Sequence, residues 1–365
     1  MITIILPTFN EAENIKTIIP ALSEVFLKEG IDGEILVVDD NSPDGTAEAA
    51  KGLADKHPVR VHVRKAEKGL SKAVMEGFNL SNGDICIVMD ADMSHPVGKI
   101  PEMITPILQR KCDATVGSRY INGGGCENWP VGRKIISRLA GFLASGVTTL
   151  SDPTSGFMAI RKNIMNGIEL DPRGWKIVLE VTTKVNPRIM EVPIIFKDRK
   201  EGESKLGVRA QMDYIGHLWR LYGYRHPRAL EFLKFCLVGF SGVFIDTAVL
   251  VTLVDLLSLD PRFAAIFAFL GAVSWNYLFD RMWAFEIGRS IKISYSYTSF
   301  IVICLLGLGI RIGVMHLFIA YAGMGQRPWY ILASIIGIVA ATIFNYFGTK
   351  YIAFSKIFRR HEELT

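Results

Sequence analysis

Four long apolar stretches crowd the C-terminal part of this 365-residue chain, at about residues 231–256, 262–284, 295–320 and 328–353. Each reaches or exceeds the ~20 residues that a helix needs to cross the hydrocarbon core of a bilayer. Backbone polar groups find no water there, so a continuous apolar run of this length must satisfy them as a helix. Residues 230–365 are therefore expected to be an all-α four-helix transmembrane domain. Residues 211–229 mix Trp and Tyr with Arg and His (DYIGHLWRLYGYRHPR over 213–228), the composition of an interfacial linker. Lys234 precedes the first span. Arg281, Arg289 and Lys292 follow the second, and Lys350, Lys356, Arg359 and Arg360 follow the fourth, while the intervening turns hold Asp255, Asp260, Arg262 and Arg327. This basic bias puts both termini and the N-terminal domain on the cytoplasmic side. Met1 leads straight into a strand, so no signal peptide is expected.

Inside the spans, Asp246 and Arg311 are costly groups, expected to face the bundle and to pair. The four spans also repeat. Asn276-Tyr277-x-x-x-Arg281-x-x-Ala284-Phe285 is echoed by Asn345-Tyr346-x-x-x-Lys350-x-x-Ala353-Phe354, so two helical hairpins of like topology are expected.

Residues 1–210 alternate short apolar runs with helix-periodic segments. Strands are expected at 2–6, 34–38, 59–63, 85–89 and 114–117, with helices between them, the first capped by Asn10. This is the pattern of an α/β domain with a doubly wound, mostly parallel sheet. Carboxylates close three of the strands: Glu11 the first, Asp39 and Asp40 the second, Asp90 and Asp92 the fourth. Such sheets bind ligands at the carboxyl ends of their strands. Alone, Asp90-Ala91-Asp92 suits a hard divalent cation bridging phosphates or a pair of solvated loop aspartates equally well. Three such clusters at one rim favour a nucleotide-sugar pocket. Without a GxGxxG after the first strand a dinucleotide site is not expected. A net charge of +5 and the lack of an aromatic–basic pattern argue against nucleic acid. The five cysteines have no zinc spacing and are read as reduced packing residues.

The segments Pro7-Thr8-Phe9-Asn10-Glu11, Val38-Asp39-Asp40-Asn41-Ser42-Pro43-Asp44-Gly45-Thr46, Lys68-Gly69-Leu70, Met89-Asp90-Ala91-Asp92, Gly117-Ser118-Arg119-Tyr120, Glu127-Asn128-Trp129-Pro130 and Asp152-Pro153-Thr154-Ser155-Gly156-Phe157 occur in the order found in the dolichol-phosphate mannose synthases. About residues 1–210 resemble that group of family 2 glycosyltransferases. The resemblance implies a GT-A type fold. It places Pro7, Phe9, Glu11, Val38 and Asp40 around the guanine nucleotide, with Phe9 standing where Tyr is common. It makes Asp90, Ala91 and Asp92 the diphosphate contact, with Mg²⁺ or Mn²⁺ held by Asp90, Asp92 and Ser94. Arg119 matches a phosphate-facing arginine, Arg199 and Lys205 a loop closing over the donor, and Arg133 and Ser137, with Arg119, the acceptor-phosphate site. The catalytic set is then Asp90, Asp92, Arg119 and Arg133. The membrane part resembles the GtrA-like family.

The implied reaction is inverting transfer of mannose from GDP-mannose to a polyprenyl (dolichyl-type) monophosphate at the cytoplasmic membrane face. A phosphate acceptor brings its own charge, since its second pKa of about 6 leaves it largely dianionic, so no side-chain base is expected. UDP-glucose or another donor is the alternative within this chemistry; a lipid-carrier translocase or scaffold is the alternative outside it. Membrane lipid is a partner, and no protein partner is implied. Residues 133–143, basic at one end and apolar after, are expected to form an amphipathic helix at the bilayer surface.

Overall fold

A computed structural model describes residues 1–65, 68–127, 129–168, 170, 177–197, 208–323 and 329–355; Asn128, Arg199 and Lys205 lie outside them. The chain divides into two compact units, Met1–Arg225 and His226–Thr365.

The first unit is built on a seven-stranded sheet in the order β3-β2-β1-β4-β7-β5-β8. Its strands are β1 (Ile2–Thr8), β2 (Gly33–Asp39), β3 (Val59–Val63), β4 (Ile85–Val88), β5 (Ala114–Ser118), β7 (Met158–Arg161) and β8 (Ile189–Pro193), while β6 (Gly125–Cys126) and β9 (Ile195–Phe196) form a separate short ladder. Helices α1 (Ala12–Glu29), α2 (Thr46–Lys51), α3 (Leu70–Leu80), α4 (Ile100–Leu108), α5 (Val131–Ala144), α6 (Ile177–Lys184) and α7 (Val208–Arg225) complete it. Strand side chains alternate between faces, so each apolar run feeds two cores. Ile4, Leu6, Ile35 and Ile87 meet Ile15, Ile19 and Leu22 of α1 and Met103 and Ile107 of α4. Ile5, Leu36, Val38 and Val88 meet Val74 and Phe78 of α3 and Val178 and Val181 of α6. Every strand expected from the sequence is present.

One expectation fails locally. Asn10 does not cap α1; it takes a left-handed conformation (φ 60°), and the helix starts at Ala12 with Glu11 at the cap position. The first amides of α1 are capped from the β2–α2 loop instead. Asp44 Oδ2 accepts from Ala12 N–H at 3.0 Å, and Thr46 Oγ1 from Glu11 N–H at 2.9 Å.

The sheet is mostly parallel, but β7 is inserted antiparallel between β4 and β5. This leaves β5 running the same way as β4. The ends of β1, β2, β4 and β5 and the approach to β7 therefore share one rim.

The second unit holds α8 (Pro227–Val251), α9 (Pro261–Phe279), α10 (Ile293–Tyr321) and α11 (Trp329–Gly348). Four segments are long and apolar enough to span a membrane: Pro227–Leu256, Phe263–Ala284, Ile293–Tyr321 and Ile335–Ala353. The repeat seen in the sequence is a repeat in structure. Gly242 of α8 lies against the Asn276 side chain of α9, and Gly307 of α10 lies against Asn345 of α11; a Cβ at either glycine would collide with the amide. Both hairpins end in a π-helical turn, Asp280–Ala284 and Thr349–Ala353. Ring contacts repeat as well: Tyr277–Phe300 at 5.7 Å and Tyr346–Phe235 at 5.6 Å, then Tyr277–Phe354 at 6.1 Å and Tyr346–Phe285 at 5.9 Å. Phe285 and Phe354, equivalent to each other, meet at 5.5 Å and so mark the pseudo-twofold axis. Asp246 and Arg311 each stand one turn after their hairpin's glycine and are themselves equivalent. No ion pair joins them among the described residues, because equivalent residues meet only at the axis.

Candidate active site

Glu11, Asp40, Asp90 and Asp92 stand at the carboxyl ends of β1, β2 and β4, three adjacent parallel strands. Their roles diverge from there. Asp39 turns inward: it accepts from Thr8 Oγ1 (3.0 Å), Ser42 Oγ (2.6 Å) and Ser42 N–H (2.8 Å), holding the turn that caps α1. Asp40 is buried and accepts from the Arg64 guanidinium and from Gly69 N–H at 2.7 Å. Arg64 also reaches Glu76 Oε2 at 2.7 Å. Burial alone would lower the Arg64 pKa, but Glu76 and Asp40 outweigh it and raise it, so Arg64 stays charged. Phe9 presents its ring at the surface with the Lys68 ammonium 4.3 Å from its centroid. Pro7 and Val38 are buried, Val38 within the core, so any ligand contact Val38 makes is through its main chain. Arg64 and Lys68 were not singled out by sequence; the Lys68-Gly69-Leu70 motif was the available signal.

After β4 the chain turns sharply, with Met93 at φ 60°. Ser94 N–H donates to Asp92 Oδ1 at 3.0 Å, and Asp90 N–H donates to His95 Nδ1 at 3.1 Å. His95 is buried between Phe157 (5.3 Å) and Phe196 (5.5 Å), and burial lowers its pKa, which keeps Nδ1 an acceptor. His95 thus secures the backbone of the Asp90–Asp92 turn. Ser94 Oγ is buried without a hydrogen-bond partner among the described residues, as expected of a group awaiting a ligand or its water. No set of three or more His, Cys, Asp or Glu side chains among them is arranged to hold a metal alone. Two carboxylates beside an orphaned hydroxyl fit a hard cation that completes its shell with substrate phosphate and water.

Past β5, Arg119 is 8 % exposed and Asp152 fully buried. Arg119 Nε and Nη2 donate to Asp152 Oδ2 and Oδ1 at 2.6 and 2.7 Å, and Nη2 also donates to Thr154 Oγ1 at 2.8 Å. Burial pushes the Arg119 pKa down, and Asp152 more than restores it. The family resemblance points Arg119 at phosphate; in the structure Nη1 is the part of its fork not bonded to Asp152 or Thr154. Asp152 is thereby a positioning residue. The indole of Trp129 joins two arginines, Arg119 at 5.0 Å and Arg133 at 4.1 Å from its centroid. Trp129 Nε1 is buried and unpartnered among the described residues. Phe196 touches both Trp129 (5.5 Å) and His95 (5.5 Å), linking the arginines to the Asp90–Asp92 turn. Ser137, on α5, lies next to Tyr120.

Helix α5 carries Arg133 in its first turn and an exposed apolar face, with Val131 72 % and Phe142 74 % exposed alongside Ile135 and Leu139. Its other face packs on α7, where Tyr214 Oη donates to Ala140 O at 2.6 Å and Tyr222 Oη to Leu143 O at 2.9 Å. Helix α7 exposes Met212, Ile215 and Trp219 in turn.

Residues 3–168 match the family described as Glycosyl transferase family 2, and residues 234–354 match GtrA/DPMS, transmembrane domain. The chain is 35 % identical over 356 residues to a dolichol-phosphate mannosyltransferase of Pyrococcus furiosus, covering 96 % of this chain and 97 % of that protein. It is 36 % identical over 235 residues to the dolichol-phosphate mannosyltransferase of Saccharomyces cerevisiae, covering 61 % and 87 %. Among solved structures, mannosyl-3-phosphoglycerate synthase from Rubrobacter xylanophilus matches at a TM-score of 0.50 and 18 % identity, over 62 % of this chain and 75 % of that one. That likeness is one of fold, the GT-A type.

Proposed function

Because the chain belongs to the dolichol-phosphate mannosyltransferases of glycosyl transferase family 2, we propose that it transfers mannose from GDP-mannose to a polyprenyl monophosphate, with inversion. The observation that carries this reading is the single rim on which Asp40, Asp90 and Asp92 stand, with Arg119 and Arg133 meeting at Trp129 beside it.

In this reading the guanine stacks on Phe9, and Asp40, held by Arg64 and Gly69, accepts from its N–H edge. Asp90 and Asp92, with Ser94 nearby, would hold Mg²⁺ or Mn²⁺, which would supply positive charge against the leaving diphosphate. The family resemblance adds Arg199 and Lys205 to the donor contacts. Arg119, through Nη1, and Arg133 position the acceptor phosphate with Ser137; arginine's planar fork suits that group. A phosphate oxygen bonds to the anomeric carbon as the bond to the diphosphate breaks. The acceptor oxygen is already ionised, so no residue need remove a proton. The apolar face shared by α5 and α7 rests on the bilayer surface and brings the phosphate of an embedded lipid to Arg133. The basic residues at and after the ends of the second and fourth spans favour a cytoplasmic site.

The test is a donor screen with radiolabelled GDP-mannose and UDP-glucose, a polyprenyl phosphate, and Mg²⁺ or Mn²⁺. Transfer from GDP-mannose is expected; transfer from UDP-glucose alone overturns the donor assignment. Arg133→Ala is expected to raise KM for the lipid phosphate roughly 10- to 100-fold, the ~1.5–3 kcal/mol of a charge-assisted hydrogen bond, at unchanged KM for the donor. An unchanged acceptor KM would misplace the acceptor site.

A further inference from the structure

The two hairpins of the membrane unit follow one plan and differ in how the cation at the end of each is held. In the second hairpin the Lys350 ammonium donates to Tyr346 Oη at 3.2 Å and to the Glu231 carboxylate at 2.5 Å. In the first, Arg281 takes the place of Lys350 and Tyr277 that of Tyr346. Ser296 takes the place of Glu231, counted back from the paired glycines of α8 and α10. Arg281 Nη1 donates to Tyr277 Oη at 3.1 Å and Ser296 Oγ at 3.2 Å, and Nη2 donates to the Arg289 carbonyl at 3.3 Å. All three acceptors are neutral. No carboxylate pairs with Arg281 among the described residues. Its chain neighbour Asp280 is buried in the bundle, not turned to the surface.

A second cation stands in the same condition. Arg289 donates through Nε and Nη2 to the Met282 carbonyl, another neutral acceptor. Arg281 lies in the last turn of the span Phe263–Ala284 and Arg289 just after it, and Trp283 of the same turn lies 5.7 Å from the Lys234 ammonium. Indole rings and cations at a helix end mark headgroup depth. Among the described residues both guanidiniums are held only by neutral acceptors, and at that depth they suit an anion delivered by the membrane, such as a phosphate ester, which arginine's fork matches. We propose that Arg281 and Arg289 form a binding site for the phosphate of a membrane lipid, and that Glu231 closes the equivalent site at Lys350. Every residue of this site belongs to the membrane unit.

The test is lipid retention by the full-length chain, measured by native mass spectrometry from detergent. Farnesyl phosphate and dioleoyl phosphatidylglycerol are the two probes, with phosphatidylcholine as the neutral control. Arg281→Gln and Ser296→Glu are expected to cut retention of the phosphate probes about tenfold, the effect of one charge-assisted contact. Lys350→Gln should leave retention unchanged, and Glu231→Ser should add one more bound lipid. Arg133→Ala should remove only the farnesyl phosphate held at the catalytic site. Loss of both probes in Arg281→Gln assigns a general phosphate-ester site, and loss of farnesyl phosphate alone assigns an isoprenoid phosphate. Equal retention by the parent chain and the Arg281→Gln and Ser296→Glu variants overturns the proposal, as does an equal loss in Lys350→Gln. The gain in Glu231→Ser guards against misfolding as the cause of the losses.

Discussion

Asp92→Asn is expected to lower kcat for mannosyl transfer about 10²- to 10³-fold, the usual consequence of removing one electrostatic stabiliser of a leaving group. The substitution is chosen because it isolates charge from structure. Asn retains an Oδ1 to accept the Ser94 N–H now 3.0 Å from Asp92 Oδ1, so the turn keeps its bond. The carboxylate's negative charge is what disappears. The variant should therefore melt within a few degrees of the parent while needing far more Mn²⁺ or Mg²⁺ for half-maximal rate. Titrating the metal against initial rate checks this directly. An unaltered metal requirement would reduce Asp92 to a loop residue, and a collapse in melting temperature would make its role structural.

The second large effect belongs to Asp152, which acts through Arg119. Asp152→Ala leaves the Arg119 guanidinium buried without its counter-charge. Breaking a buried pair from one side typically costs ~3–5 kcal/mol. For a unit of this size that lowers the melting temperature by on the order of 10 °C. Activity should fall with it, since Arg119 Nε, Nη2 and backbone N–H all donate to Asp152 and lose their template together. The double variant Arg119→Met, Asp152→Ala removes the orphaned charge as well. It is expected to regain much of the lost stability and none of the activity. If the double variant is as unstable as Asp152→Ala, the cost lies in packing and not in charge. If it is active, Arg119 has no part in the reaction.

The sequence was most informative where one physical requirement acts along a continuous segment. The apolar spans are of this kind, because a bilayer imposes length and composition directly. So are the strands of the first unit, whose unbroken apolar runs follow from burial on both faces. The site was legible at its acidic rim for a related reason: a carboxylate at the end of a buried strand interrupts the local pattern. The capping of α1 was misread because its acceptors, Asp44 and Thr46, come from a loop more than thirty residues away. His95, Trp129 and Asp152 escaped assignment because their significance is relational. An imidazole, an indole and a carboxylate are unremarkable in sequence until a backbone N–H, two guanidiniums or one buried arginine lie against them.

The sequence alone thus determined the division into an α/β domain and four membrane helices, the rim that carries Asp40, Asp90 and Asp92, and the internal repeat. Each is written in hydropathy, period or spacing, which are properties of neighbours along the chain. Only the tertiary structure decided how Arg119 is held, how Trp129 gathers Arg119 and Arg133, and which repeat has its cation neutralised. Those depend on pairings across the fold, such as Arg119 with Asp152 and Lys350 with Glu231. Electrostatic energy depends on distance in space, and sequence separation does not record it.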